Sequence, residues 1–87
     1  QLLSVKNQKN VIRGIHFSSP RNVQSKILKC AQGVILDVVV DFRVDSSTFG
    51  KHEKFILDSE VNETLFIPHG FGHAYQVLSN FATIEYR

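Results

Sequence analysis

The chain has 87 residues, is 43% hydrophobic and carries a formal net charge of +2. That is one small domain, and a charge this slight, with no basic run of five or six, leaves no electrostatic footprint for nucleic acid. No signal peptide or membrane-spanning stretch is visible, and the single cysteine, Cys30, forbids an internal disulfide, which fits a reducing, cytoplasmic setting.

Residues 1–5 read like part of an element, and Tyr86-Arg87 fall in a β-like run. The expectation is therefore a single domain over 1–87 that forms the central part of a longer chain. A domain of this size buries a modest share of its surface, so help from a partner subunit is also expected.

Short runs of Val, Ile, Phe and Leu alternate with turn-forming clusters, the all-β signature. Strands are predicted near 10–18, 25–31, 34–43, 52–58, 63–67, 73–79 and 82–87, with breaks at 18–22, 32–33, 45–47, 58–60 and 68–70. No stretch shows a sustained helical period, and no repeat or linker divides the chain. Many short strands in two packed layers predict a sandwich, jelly roll or barrel, whose mouth often holds a ligand.

In the first predicted strand, Ile12, Gly14, His16 and Ser18 share one face, and Arg13, Ile15 and Phe17 the other. Gly14 signals close approach to the backbone. On spacing alone His16 is more readily an ordinary half-buried histidine; read functionally, its near-neutral pKa suits a general base. Lys26 follows on the next strand with Gln24, Leu28 and Cys30. It is a solvated lysine or, if it points inward beside His16, a cation able to stabilise an enolate oxygen. Lys29 then points the other way. Arg13 has donors suited to phosphate, although a lone arginine is more often a surface residue. Cys30, in an apolar run, reads as buried and inert.

Strand 34–43 has the clearest pattern. Val34, Leu36, Val38, Val40 and Phe42 make a wholly apolar face, predicted to pack against a second sheet. Ile35, Asp37, Val39, Asp41 and Arg43 make a mixed face, predicted to line a cavity or meet solvent. An inward Asp37 requires a lysine or histidine partner; an outward one is solvated. Asp41 is expected outward or at the strand end.

Pro68-His69-Gly70-Phe71-Gly72-His73 is a turn entering a strand and fits P-x-G-x-x-H, the second half of a cupin pattern. The first half would supply His-x-His, but His16-Phe17-Ser18 lacks the second histidine, so no metal site is expected. His52 and His69 read as surface loop residues. Tyr86 shares a face with Ala82 and Ile84, as a packing aromatic or as a proton donor opposite the base.

These motifs resemble the dTDP-4-dehydrorhamnose 3,5-epimerase family. The matching pieces are Arg13-Gly14-Ile15-His16-Phe17, Gln24-Ser25-Lys26, the run from Gly33 to Arg43, Ser47-Thr48-Phe49-Gly50, Ile67 to Tyr75, Leu78-Ser79 and Tyr86-Arg87, in the family's order and spacing. The resemblance implies an all-β, cupin-type jelly roll (a double-stranded β-helix) of antiparallel strands in two packed sheets. It also implies a homodimer, a nucleotide-diphosphate 4-keto-6-deoxy sugar as substrate, and no cofactor, nucleic acid or membrane partner. It assigns His16 as the base at C3 or C5, Lys26 as the enolate stabiliser and Tyr86 as the acid. Arg13 is implied to contact the diphosphate, and Asp37 and His73 to support the cavity's polar network. Departures are Ser18 where glutamine is common, His69 for an acid and Tyr75 for a frequent Phe; the aspartate that orients the family's base falls beyond this sequence, and the N-terminal strands that help hold the nucleotide are not in it. Competing readings are a sugar-nucleotide 3,4-ketoisomerase, a non-catalytic sugar-binding cupin and a metal-dependent cupin enzyme.

Overall fold

The computed structural model describes residues 3–17 and 25–86. They form β1 (Leu3–Gln8), β2 (Ile12–Phe17), β3 (Lys26–Gln32), β4 (Val34–Asp41), β5 (His52–Asp58), β6 (Thr64–Ile67), β7 (Phe71–Val77) and β8 (Phe81–Tyr86). Among the described residues there is no helix, and so none long and apolar enough to cross a membrane.

The strands make two four-stranded antiparallel sheets, ordered β1-β8-β3-β6 and β2-β7-β4-β5. Apart from the β4–β5 hairpin, each successive strand joins the other sheet. That repeated crossing is the cupin-type jelly roll expected from the sequence. The predicted strands are all present, β5 with the expected bounds and the others with shifted ends, and β1 adds one where only an unspecified element was expected. β7 begins at Phe71, and β4 stops at Asp41, where Phe42 donates its N–H to the Gly70 carbonyl. The predicted break at 18–22 lies outside the described residues.

The core draws on both sheets. Leu28, Cys30, Ala82 and Ile84 of the first pack against Ile35, Leu57, Tyr75 and Val77 of the second. Burying side chains of this size stabilises the fold by about 1.5–3 kcal/mol each for the larger aliphatics. The Cys30 thiol points at the Gln32 and Gly33 carbonyls, and burial pushes its pKa up, which leaves it unreactive.

Contrary to the sequence expectation, the wholly apolar face of β4 is not the one packed into the core, while the mixed face takes the inward of its two expected alternatives. Ile35, Asp37 and Asp41 are buried, whereas Val34, Leu36, Val38 and Val40 are only half-buried and Phe42 is exposed. The mixed face is the interior one. Register explains it: Ile35 lies opposite Val77 and Asp37 opposite Tyr75, and β7 turns His73, Tyr75 and Val77 inward. Residues directly opposite in an antiparallel pair share a face, so the ionisable side chains of β4 go where those of β7 go.

Asp41 ends β4, the second of the two places expected for it, and is buried there. Its carboxylate accepts from the Arg43 Nε and Nη2 at 3.0 Å each and from the hydroxyls of Ser46 and Thr48. These bonds close the turn between β4 and β5 around the end of β4.

The inner and outer faces give a direct comparison of two isoleucines. Ile35 is fully buried and Ile56 is 56% exposed. In denaturant unfolding Ile35→Ala should cost about 2–5 kcal/mol, the range for a buried isoleucine, and Ile56→Ala about 0.5 kcal/mol. Equal costs would contradict the assignment of inner and outer faces.

Candidate active site

At one end of the core the sheets part around a cavity of about 590 Å³. Val5, Lys26 and Tyr86 reach it from one sheet; Arg13, Ile15, His16, His73 and Tyr75 reach it from the other. Five of the six residues singled out from the sequence thus line one space. The sixth, Asp37, stands directly behind His73.

Simple alternation does not put Arg13 and His16 on the same side of β2. Arg13 pairs with Tyr75 and His16 with His73, so two residues of β2 oppose one of β7. This is a β-bulge, which re-aims the strand and brings residues of opposite parity into one cavity. Gly14 sits in it. A Cβ at that position would lie 2.7 Å from the Ala74 Cα and Cβ and 2.8 Å from the His73 carbonyl, so only glycine allows β2 to come this close to β7. The close approach expected at Gly14 is there, but the two-face division of this strand is corrected by the bulge.

On the facing sheet alternation holds. Leu28 and Cys30 are buried on the side of β3 that carries Lys26, while Ile27 is 44% exposed on the other. Ala82 and Ile84 are fully buried on the side of β8 that carries Tyr86. Tyr86 pairs with Leu28 in register, which sets its ring on the strand next to Lys26.

Asp37 is fully buried and its Oδ2 lies 3.1 Å from His73 Nδ1. Among the described residues no donor reaches Oδ1. Burial pushes the carboxyl's pKa up and the bond to His73 opposes that shift. When ionised, the carboxylate only accepts, and it then holds a proton on His73 Nδ1 and leaves Nε2 as the ring's other nitrogen. The His73 and His16 rings are 5.6 Å apart between centroids, tilted by 58°. His16 has its pKa lowered, first by partial burial, then by His73, Lys26 and Arg13 nearby; Asp37 acts the other way. A histidine in that field is held in its neutral, proton-accepting form near neutrality.

Two polar residues of the site were not picked out as such. Arg13 donates from Nε and Nη2 to Asn7 Oδ1 at 3.2 and 3.0 Å, and Asn7 Nδ2 donates to the Tyr75 hydroxyl at 2.8 Å. An asparagine in step with Leu3 and Val5 along β1 was the available signal. His52 and His69 line no part of this cavity; His69 is exposed in a turn as expected, whereas His52 opens β5. The described residues contain no group of three or more His, Cys, Asp or Glu side chains arranged to hold a metal ion.

The strand order and the ionisable cavity define a cupin-type jelly roll with a base-competent histidine on one sheet and an ammonium and a phenol on the other. More narrowly, the family model for dTDP-4-dehydrorhamnose 3,5-epimerase matches residues 1–87, and the chain belongs to that family. It is 43% identical over 82 residues to the dTDP-4-dehydrorhamnose 3,5-epimerase of Salmonella typhimurium, covering 94% of this chain and 45% of that protein. The crystal structure of a 3,5-epimerase from Legionella pneumophila in complex with dTDP-4-keto-L-rhamnose superposes with a TM-score of 0.93 at 38% identity, covering 99% of this chain and 45% of that one. A 3'-monoepimerase from Streptomyces bikiniensis in complex with dTDP-quinovose gives 0.90 at 37% identity, over 99% and 43% of the two chains. The chain therefore spans about half the length of these relatives.

The electrostatics of the site predict how His16 titrates. By NMR its imidazole should lose its proton at lower pH than a free histidine, and Lys26→Ala should move that transition upward by removing one of the cations that depress it. An unshifted His16, or a downward move in the variant, would contradict the geometry.

Proposed function

We propose that the protein inverts C3, C5 or both in a dTDP-4-keto-6-deoxy sugar by proton abstraction and reprotonation through an enolate. The observation that carries this reading is the placement of His16 on one sheet and of Lys26 and Tyr86 on the facing one, across a single cavity. Inversion at carbon needs a base on one face of a planar intermediate and an acid on the other.

In the proposed mechanism neutral His16 takes the proton alpha to the C4 ketone. The electron pair left behind moves into the C4–O bond, and the Lys26 ammonium stabilises the resulting oxyanion. The Tyr86 phenol gives its proton to the opposite face of the same carbon, and solvent restores the phenol and frees the base. Arg13 meets the diphosphate. His73, fixed by Asp37, presents its second nitrogen beside His16 and supports the base and the sugar's polar groups.

The dTDP sugars bound to the two solved relatives support the substrate class. One of those relatives is a 3,5-epimerase and the other a monoepimerase, so the number of centres is a question for product analysis. The chemistry is acid–base at a ketone and needs no cofactor. A homodimer in the cytoplasm is the proposed working form, supported by the small core and the single buried thiol.

The test is deuterium wash-in from heavy water with the full-length protein and dTDP-4-keto-6-deoxyglucose, followed by NMR. Exchange with inversion at both centres would define a 3,5-epimerase; exchange at one, a monoepimerase. His16→Ala should abolish exchange, and Lys26→Ala should slow turnover by about 10²–10³-fold, as for loss of an oxyanion donor. Wild-type rates in either variant would refute the roles, and no exchange in the wild-type protein would refute the activity.

A further inference from the structure

Arg13 is held in an unusual way for a cation at a cavity wall. Among the described residues, both donors it commits go to one neutral acceptor, Asn7 Oδ1. Among the described residues no carboxylate forms an ion pair with it; the ion pairs there are Arg43 with Asp41 and His73 with Asp37. Asn7 is itself 6% exposed, and its amide nitrogen donates to the hydroxyl of Tyr75, which is 5% exposed.

The direction of this chain is fixed by chemistry. A guanidinium only donates, so Asn7 must turn its oxygen to Arg13 and its NH2 to the phenol, whose oxygen accepts. The phenol's own hydrogen is then left for another acceptor, and Tyr75 lines the cavity. Burial pushes the Tyr75 pKa up, which keeps that hydrogen in place. All three residues sit on strands, and the chain bridges the sheets. Asn7 pairs with Ala82 in one, while Arg13 and Tyr75 lie directly opposite each other in the other.

We infer that Tyr75 and Asn7 are positioning residues that aim Arg13 into the cavity while leaving its full positive charge for an anionic ligand. This rests on the reading that Arg13 meets the substrate's diphosphate. An aspartate at position 7 would grip the guanidinium more strongly, but it would also cancel the charge the phosphate is to feel. A neutral amide orients without neutralising, and rigid strands hold the donor ready before the ligand arrives.

The experiment is calorimetric binding of dTDP to the full-length protein, at low and high salt, together with steady-state kinetics on the 4-keto sugar. Tyr75→Phe removes one oxygen and should weaken dTDP binding by about three- to tenfold. Asn7→Asp keeps an acceptor toward Arg13, yet should weaken binding by about tenfold or more and flatten its salt dependence. In both variants KM should rise far more than kcat falls. If an Asn7 variant does not fold, Tyr75→Phe still decides the matter. Asn7→Asp or Tyr75→Phe binding dTDP as tightly as the wild type, or losing kcat with KM unchanged, would overturn the inference. Failure of the wild-type protein to bind dTDP would instead overturn the reading beneath it.

Discussion

The hydrogen bond between Asp37 and His73 organises the interior of the second sheet. A carboxyl with no exposure sits in the middle of a strand whose other residues, apart from the terminal Asp41, are Val, Ile and Leu. Such a group is tolerated only with a partner, since an unpaired buried charge costs about 3–5 kcal/mol when its partner is removed. His73 supplies that partner from β7. Once the pair is inside, parity sends Ile35, Tyr75 and Val77 inward with it and turns Val34, Leu36, Val38 and Val40 outward. The inner face of this sheet therefore grades from hydrocarbon at Ile35 and Val77 to ionisable at Asp37 and His73. Tyr75 belongs to both regions, with its ring in the core cluster and its hydroxyl in the polar chain to Arg13.

That gradient puts reactive groups beside a rigid core while leaving them a space to work in. The bulge on β2 then does what alternation could not, turning Arg13 and His16 into the same cavity. The facing sheet contributes Lys26 and Tyr86 by plain alternation from strands whose inner residues are core. Two sheets that must pack for stability thereby present complementary chemistry across a gap. Partial burial first, then His73, Lys26 and Arg13, keep His16 neutral, with Asp37 opposing them. The Lys26 and Arg13 cations would also favour the diphosphate and the enolate oxygen of the proposed reaction.

Part of this was legible in the sequence, because strand periodicity and turn clusters are local signals, and the all-β, two-sheet architecture and the strand positions follow from them. His16, Lys26, His73 and Tyr86 stood out as a set only through the family resemblance, since on spacing alone each reads as an ordinary histidine, lysine or packing aromatic. Which face of β4 is inside does not follow, since a period of two separates faces without saying which is buried. The wholly apolar face looked like the core, but the pair at Asp37 and His73 decides otherwise, and that pair joins residues 36 apart in the chain. The bulge was visible only as Gly14, whose need to clear Ala74 is a tertiary fact. Asn7 and Tyr75 went unread as site residues because a single asparagine on an edge strand and a tyrosine in an apolar run have no periodic signature. Their meaning lies in the contacts between β1, β2 and β7.

The proposed delivery of protons from opposite sheets is most directly tested by the stereochemistry of exchange in Tyr86→Phe. With the proposed base intact and the proposed acid removed, the recovered 4-keto sugar should carry deuterium from heavy water in its original configuration, because His16 would return a proton to the face it came from. Inverted product should fall by about 10²–10⁴-fold. Inversion at the wild-type rate in this variant would contradict the placement of acid and base on facing sheets.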